Sequence, residues 1–131
     1  MVIDLIGLLE DGAAQRAGAP TNARTTIRIT KGEDFTIRLT VFDPARHLVT
    51  LSGGSLVMTA KTSSLDSQAA FSLVAEFAGV CATFTGTPAT TKRLDPRRYV
   101  FDIWYTDVGH KRWPVVPLST LLLEPTSTPV P

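Results

Sequence analysis

Ile29-Thr-Lys-Gly-Glu-Asp-Phe-Thr-Ile-Arg-Leu-Thr-Val41 decides the fold. Lys31-Gly32-Glu33-Asp34 is a turn, with Gly32 free to take a positive φ. After it, Phe35, Ile37, Leu39 and Val41 fall on one side of an extended chain, and Thr36, Arg38 and Thr40 on the other. A period of two with one apolar side is the pattern of a β-strand that buries one face and keeps the other wet. Ile27 and Ile29 carry the same alternation backwards to Thr25, and Asp43-Pro44 ends the strand because proline cannot donate to a ladder.

A second segment, Leu94-Asp-Pro-Arg-Arg-Tyr-Val-Phe-Asp-Ile-Trp-Tyr105, repeats the turn-then-strand arrangement. Tyr99, Phe101, Ile103 and Tyr105 alternate with Val100, Asp102, Trp104 and Thr106. Before it, Thr87-Pro88 predicts the start of a short helix, which Asp95-Pro96 stops. Leu56 to Lys61 reads as a short strand after the Leu51-Ser-Gly-Gly-Ser turn, and residues 62–70 as a loop. Residues 71–77 and 80–85 read as a hairpin around Ala78-Gly79, with Val80, Ala82 and Phe84 inward. Arg112 to Glu124 is the last apolar stretch; Pro114 and Pro117 make its first half an edge strand or a crossover. Seven or so short strands separated by turns predict an all-β chain, a small antiparallel β-sandwich.

The length of 131 residues is that of one domain, long enough to bury a core without staples. A hydrophobic share of 44% against a charged share of 19% excludes wholesale disorder. Cys81 is the only cysteine, so no disulfide forms within the chain. The N-terminus lacks a basic start, Asp4 interrupts its apolar part, and no uninterrupted apolar run approaches the ~20 residues of a membrane span. Folding in a cytoplasm and no membrane partner are the expectation.

Residues 1–24 read as an N-terminal arm and linker, 25–124 as the β-sandwich domain and 125–131 as an extended, Pro-rich tail. The apolar residues of the arm, Ile3, Leu5, Leu8 and Leu9, have two readings: an extra strand or helical turn packed on the chain's own core, or an anchor reaching a neighbouring subunit. Trp104 lies opposite the inferred core face of its strand, and Trp113 sits beside Pro114; both are candidates for contact with a partner or for cover by the chain itself.

Chemistry is sparse. His47 and His110 fall in turns, and Cys81 lies on the strand face opposite Phe84, so no base is placed beside a nucleophile. No CxxC, HExxH or calcium-loop spacing occurs, and Gly53-Gly54 lacks the continuation of a phosphate loop. No enzyme activity, cofactor or metal is expected. Lys92, Arg93, Arg97, Arg98, Lys111 and Arg112 crowd one stretch, yet the net charge is only +1 and acids interleave. The expectation is a solvated, turn-rich end with no nucleic-acid partner.

The series of motifs resembles the N-terminal domain of phage baseplate upper proteins. Ile29 to Leu39 matches its opening turn and strand, Leu51-Ser52-Gly53-Gly54 a following turn, and Leu56 to Lys61 an apolar strand ending in Lys. Thr91, Leu94, Tyr99, Phe101, Asp102 and Ile103 match a later motif in which Arg97 or Arg98 stands where glycine is usual, and Leu123-Glu124-Pro125 matches the close. The resemblance covers roughly residues 25–126. It implies an immunoglobulin-like sandwich in a non-enzymatic virion structural protein, made in the host cytoplasm and carried in the virion. The expected role is assembly or adaptor piece of the tail or baseplate, a homo-oligomer contacting other virion proteins. Few residues follow the domain, so the expectation is an accessory piece and not a receptor-binding head. A capsid cement or decoration protein touching the major capsid protein suits the same fold. A carbohydrate-binding module using Trp104 or Trp113 is the third alternative.

Overall fold

A computed structural model describes residues 1–8, 25–43, 47–48, 53–65, 67–78 and 81–125. The described residues form β1 (Val2–Leu8), β2 (Thr26–Thr30), β3 (Phe35–Phe42), β4 (Ser55–Lys61), β5 (Phe71–Val74), β6 (Glu76–Ala78), β7 (Cys81–Gly86), α1 (Pro88–Thr91), β8 (Arg98–Thr106) and β9 (Arg112–Glu124). They pack as a sandwich of a four-stranded sheet, β1-β3-β7-β6, and a five-stranded sheet, β2-β9-β8-β4-β5. Pairing is antiparallel except for β1 with β3 and β2 with β9, which join parallel.

The alternation read from the sequence sets the core. Phe35, Ile37, Leu39 and Val41 of β3 face Tyr99, Phe101, Ile103 and Tyr105 of β8 across the sandwich, all buried. Leu56, Met58 and Ala60, Ala82 and Phe84, and Val115, Val116, Leu121 and Leu123 fill the space between them. Leu5 of β1 joins this core. Of the two readings of the arm, the strand packed on its own core describes Val2–Leu8. Residues 9–24, Val80 and 126–131 lie outside the described residues.

Two expectations change. Residues 71–77 are not one arm of a hairpin: β5 pairs with β4 in the five-stranded sheet, and only β6 pairs with β7. Ala75 is the crossing point, buried, with its N–H donated to the Leu56 carbonyl at 3.0 Å. Phe71 and Ala75 are both buried in the one core, whereas Phe77, in register with Ala82, is exposed like the rest of β6. The basic stretch is also divided. Nine-residue β8 separates Lys92, Arg93, Arg97 and Arg98 at one end from Lys111 and Arg112 at the other.

The first half of β9 lies beyond β2, which pairs only with Thr120–Glu124. Pro114 and Pro117 therefore lack N–H groups on an edge, near the register shift opposite Ile103 and Trp104. At the start of β8, the buried Tyr99 donates its hydroxyl to the Asp95 carbonyl at 2.8 Å. Immunoglobulin-like sandwiches brace the same corner with a tyrosine in this way. Burial, then the charge of Asp95, holds the Tyr99 phenol above its usual pKa, so it stays a donor.

α1 is a single turn, started by the Thr87 carbonyl accepting from the Thr90 N–H at 2.9 Å. Its Thr91 is fully buried, and its hydroxyl accepts from the Gly32 N–H at 2.9 Å. Gly32 has φ 79°, the positive value the sequence requires of it. Replacing Thr91 with valine keeps the shape but removes the acceptor of the Gly32 N–H, which should lower stability by about 0.5–1.5 kcal/mol; Thr91→Ser should recover most of that in denaturant melts. Ile103→Ala should cost about 2–5 kcal/mol, and unchanged stability would mean the β8 phase is inverted.

Candidate interaction surface

The outer face of the five-stranded sheet holds the residues that alternate with the core. Trp104 projects there between two neighbours in register, Val57 of β4 and Pro114 of β9. Val57 in turn stands beside Val74 of β5, which is 65% exposed. These side chains make one apolar row across four strands, about 14 Å long at the usual strand spacing. Flanking positions are polar: Thr59 and Asp102 on one side, Ser55 and Thr106 on the other.

Trp104 is half-buried and held. Its indole N–H donates to Asp102 Oδ2 at 3.2 Å, and the Arg112 guanidinium lies 4.7 Å from the ring centroid. An exposed cation–π contact of this kind contributes about 0.5–1 kcal/mol. The ring is thus fixed before any partner arrives, which reduces the entropy a contact would have to overcome.

Trp113 serves a different purpose. It is packed against the core, with Nε1 donating to Asp107 Oδ2 at 3.4 Å and Lys111 Nζ 4.6 Å from its ring centroid. Asp107 closes the turn between β8 and β9 by also accepting from the backbone N–H groups of Lys111 and Gly109, each at 2.9 Å. His110 takes φ 65° within this turn. The Lys111 N–H, then Trp113 and Gly109, hold the Asp107 carboxyl below its usual pKa against the opposing pull of desolvation.

On the other sheet, Ile3 is half-buried against the core and Leu5 is inside it. The outward side chains of β1 are Val2, Asp4 and Ile6, the last 73% exposed. Asp4 accepts from Arg38 Nε at 2.8 Å and Nη2 at 3.2 Å. That fork leaves Ile6 beside Thr40 and Cys81. The side chain of Leu8, and all of Leu9, lie outside the described residues. A residue-by-residue phase of β1 carries the signal for Val2 and Ile6, but Asp4 alone does not fix that phase. The Val57–Val74 neighbourhood of Trp104 depends on strand register, which local sequence does not display.

Among the described residues no group of three or more His, Cys, Asp or Glu side chains is placed to hold a metal ion. Cys81 Sγ lies 3.9 Å from the Ala82 carbonyl, and His47 lies 3.6 Å from Asp43 on the surface.

No family model matches the sequence, and no curated protein matches it. Among solved structures, the N-terminal domain of phage TP901-1 ORF48 is similar, with a TM-score of 0.50 over 95% of this chain and 99% of that one, at 9% identity. The two share a fold. The likeness to a phage domain that the motifs carry is therefore present in three dimensions, as a common sandwich.

Asp107 gives a pH test. Its folded pKa is lowered, so its contribution is full above the ordinary Asp value of about 4 and is lost as the pH falls through the lower folded value. Asp107→Asn should melt earlier than wild type at neutral pH, and the difference should shrink on acidification to about pH 2.5.

Proposed function

We propose that this protein is a non-enzymatic structural component of a phage particle, an assembly or adaptor piece at the tail or baseplate. The supporting observation is the apolar row of Val74, Val57, Trp104 and Pro114 on the outside of a fold shared with a phage domain. A tryptophan fixed at the middle of a flat sheet face suits a contact centre, since such residues carry a large part of binding energy. The partner is another virion protein or a second copy, and a homo-oligomer would bring two such faces into reach of the same assembly. The protein is made in the host cytoplasm and resides in the virion.

A capsid decoration role would use the same sandwich and the same face, and differs in location and copy number. The carbohydrate-binding reading has less support: Arg112 lies over the Trp104 ring, and Trp113 is packed against the core.

Quantitative mass spectrometry of purified particles, split into heads and tails, separates these readings. Low copy with the tails is expected. Abundance tracking the major capsid protein would assign the decoration role, and absence from both fractions would refute a virion role. Trp104→Ala should retain cooperative folding but weaken association by about thirtyfold, as loss of ~2 kcal/mol at a contact centre does. Wild-type incorporation of that variant would move the contact elsewhere.

A further inference from the structure

The β4–β5 loop and the segment leading from α1 into β8 enclose a depression of about 500 Å³. It lies at the end of the sandwich away from the Asp107 turn. The size is that of a small-ligand pocket. Its less exposed lining residues are Tyr99, Leu94 and Ala70, an apolar base, and its exposed rim carries Arg93 and Arg97 with Ser67 and Gln68.

The hydrogen-bonding capacity of this rim is largely unused. Among the described residues Arg93 has neither a hydrogen-bond nor an ion-pair partner. Arg97 donates its Nε to the Arg98 carbonyl at 3.3 Å and lies 5.9 Å from the Tyr99 ring centroid, without a carboxylate partner. Asp95 lines the same depression, yet it forms no ion pair with either arginine. Ser67 and Gln68 also make no hydrogen bond to another described residue. Among the described lining residues, two guanidiniums stand against one carboxylate.

We infer that this depression is a receptor site for a carboxylate side chain presented by an acidic segment of a partner protein. The planar fork of an arginine matches a carboxylate with two parallel hydrogen bonds. The serine hydroxyl and glutamine amide add donors, while Leu94 and Tyr99 accommodate the methylene stem of a glutamate. Nucleic acid is the poorer fit. A phosphate backbone favours a continuous row of cations, whereas Asp95 interrupts this one and β8 separates it from Lys111 and Arg112. The site is distinct from the Trp104 face and does not rest on the virion reading. A protein absent from particles would still bind the acidic segment, so the two ideas fail separately.

The test is NMR of the ¹⁵N-labelled full chain with a capped peptide of alternating glutamates. A matched glutamine peptide, inorganic phosphate and a thymidine oligonucleotide are the other probes. Saturable shifts are expected at the Gln68, Leu94 and Arg97 amides and at the Arg93 side-chain N–H, at roughly millimolar peptide, as one or two exposed ionic contacts would give. The glutamine peptide should bind at least about tenfold more weakly, and so should the glutamate peptide to Arg93→Gln, an exposed substitution whose fold is checked by its unchanged spectrum elsewhere. Arg97→Gln should act in the same direction. Absence of shifts, equal response to the glutamine peptide, or undiminished binding by both variants would overturn the inference. So would phosphate or the oligonucleotide moving the same residues at lower concentration than the peptide.

Discussion

The Thr91 hydroxyl accepts one hydrogen bond from the Gly32 amide, and that bond ties together two of the crossovers between the sheets. The Lys31–Asp34 turn carries the chain from the five-stranded sheet to the four-stranded one, and α1 carries it back. Both crossovers sit at the same end, and Thr91 is wholly buried between them. The acceptor lies in the interior and the donor on an exposed turn, so the bond pins the Lys31–Asp34 turn to α1. Next to it, the Phe35 ring lies over Gly86, where a Cβ would fall 2.1 Å from ring carbons. Only glycine admits that ring. Phe35 then meets Phe71 edge-on at 6.3 Å, bringing the β4–β5 edge into the same cluster.

With that end fixed, the sheets divide labour by face and by end. Inner faces supply an aliphatic and aromatic core. The outer five-stranded face concentrates its apolar surface in one row around Trp104, while the outer four-stranded face sets the Asp4–Arg38 fork between the exposed Val2 and Ile6 of β1. At the Asp107 end, one carboxylate organises a tight turn. At the Thr91 end, arginines and a loop surround an open depression.

Much of the fold is legible in the sequence because it is written in local alternation. Phe35 to Val41 and Tyr99 to Tyr105 announce both strand and phase, and Lys31-Gly32 announces the turn that leads into the first of them. The sheet change at Ala75 is invisible for a physical reason. Phe71, Leu73 and Ala75 keep an inward period of two up to the change, and only pairing reveals which partner each half has. The role of Val2–Leu8 stays open in sequence because seven apolar-rich residues suit a strand at home or abroad equally well. Of the candidate site, the outward direction of Trp104 follows from alternation. Its cover by Arg112 and its company with Val57 and Val74 follow from register, which distant residues set. The depression is further out of reach, since residues 62–70 and 93–99 meet only in the folded chain.

The central claim is that this sandwich works by contact through the outer face around Trp104. Photo-crosslinking in assembled particles tests it most directly, with a benzophenone amino acid placed at Val74 on that face and, separately, at Thr85 on the outer face of the other sheet. The account expects the Val74 position to capture a virion protein or a second copy, and the Thr85 position to give little. Efficient capture from Thr85 with none from Val74 would contradict it.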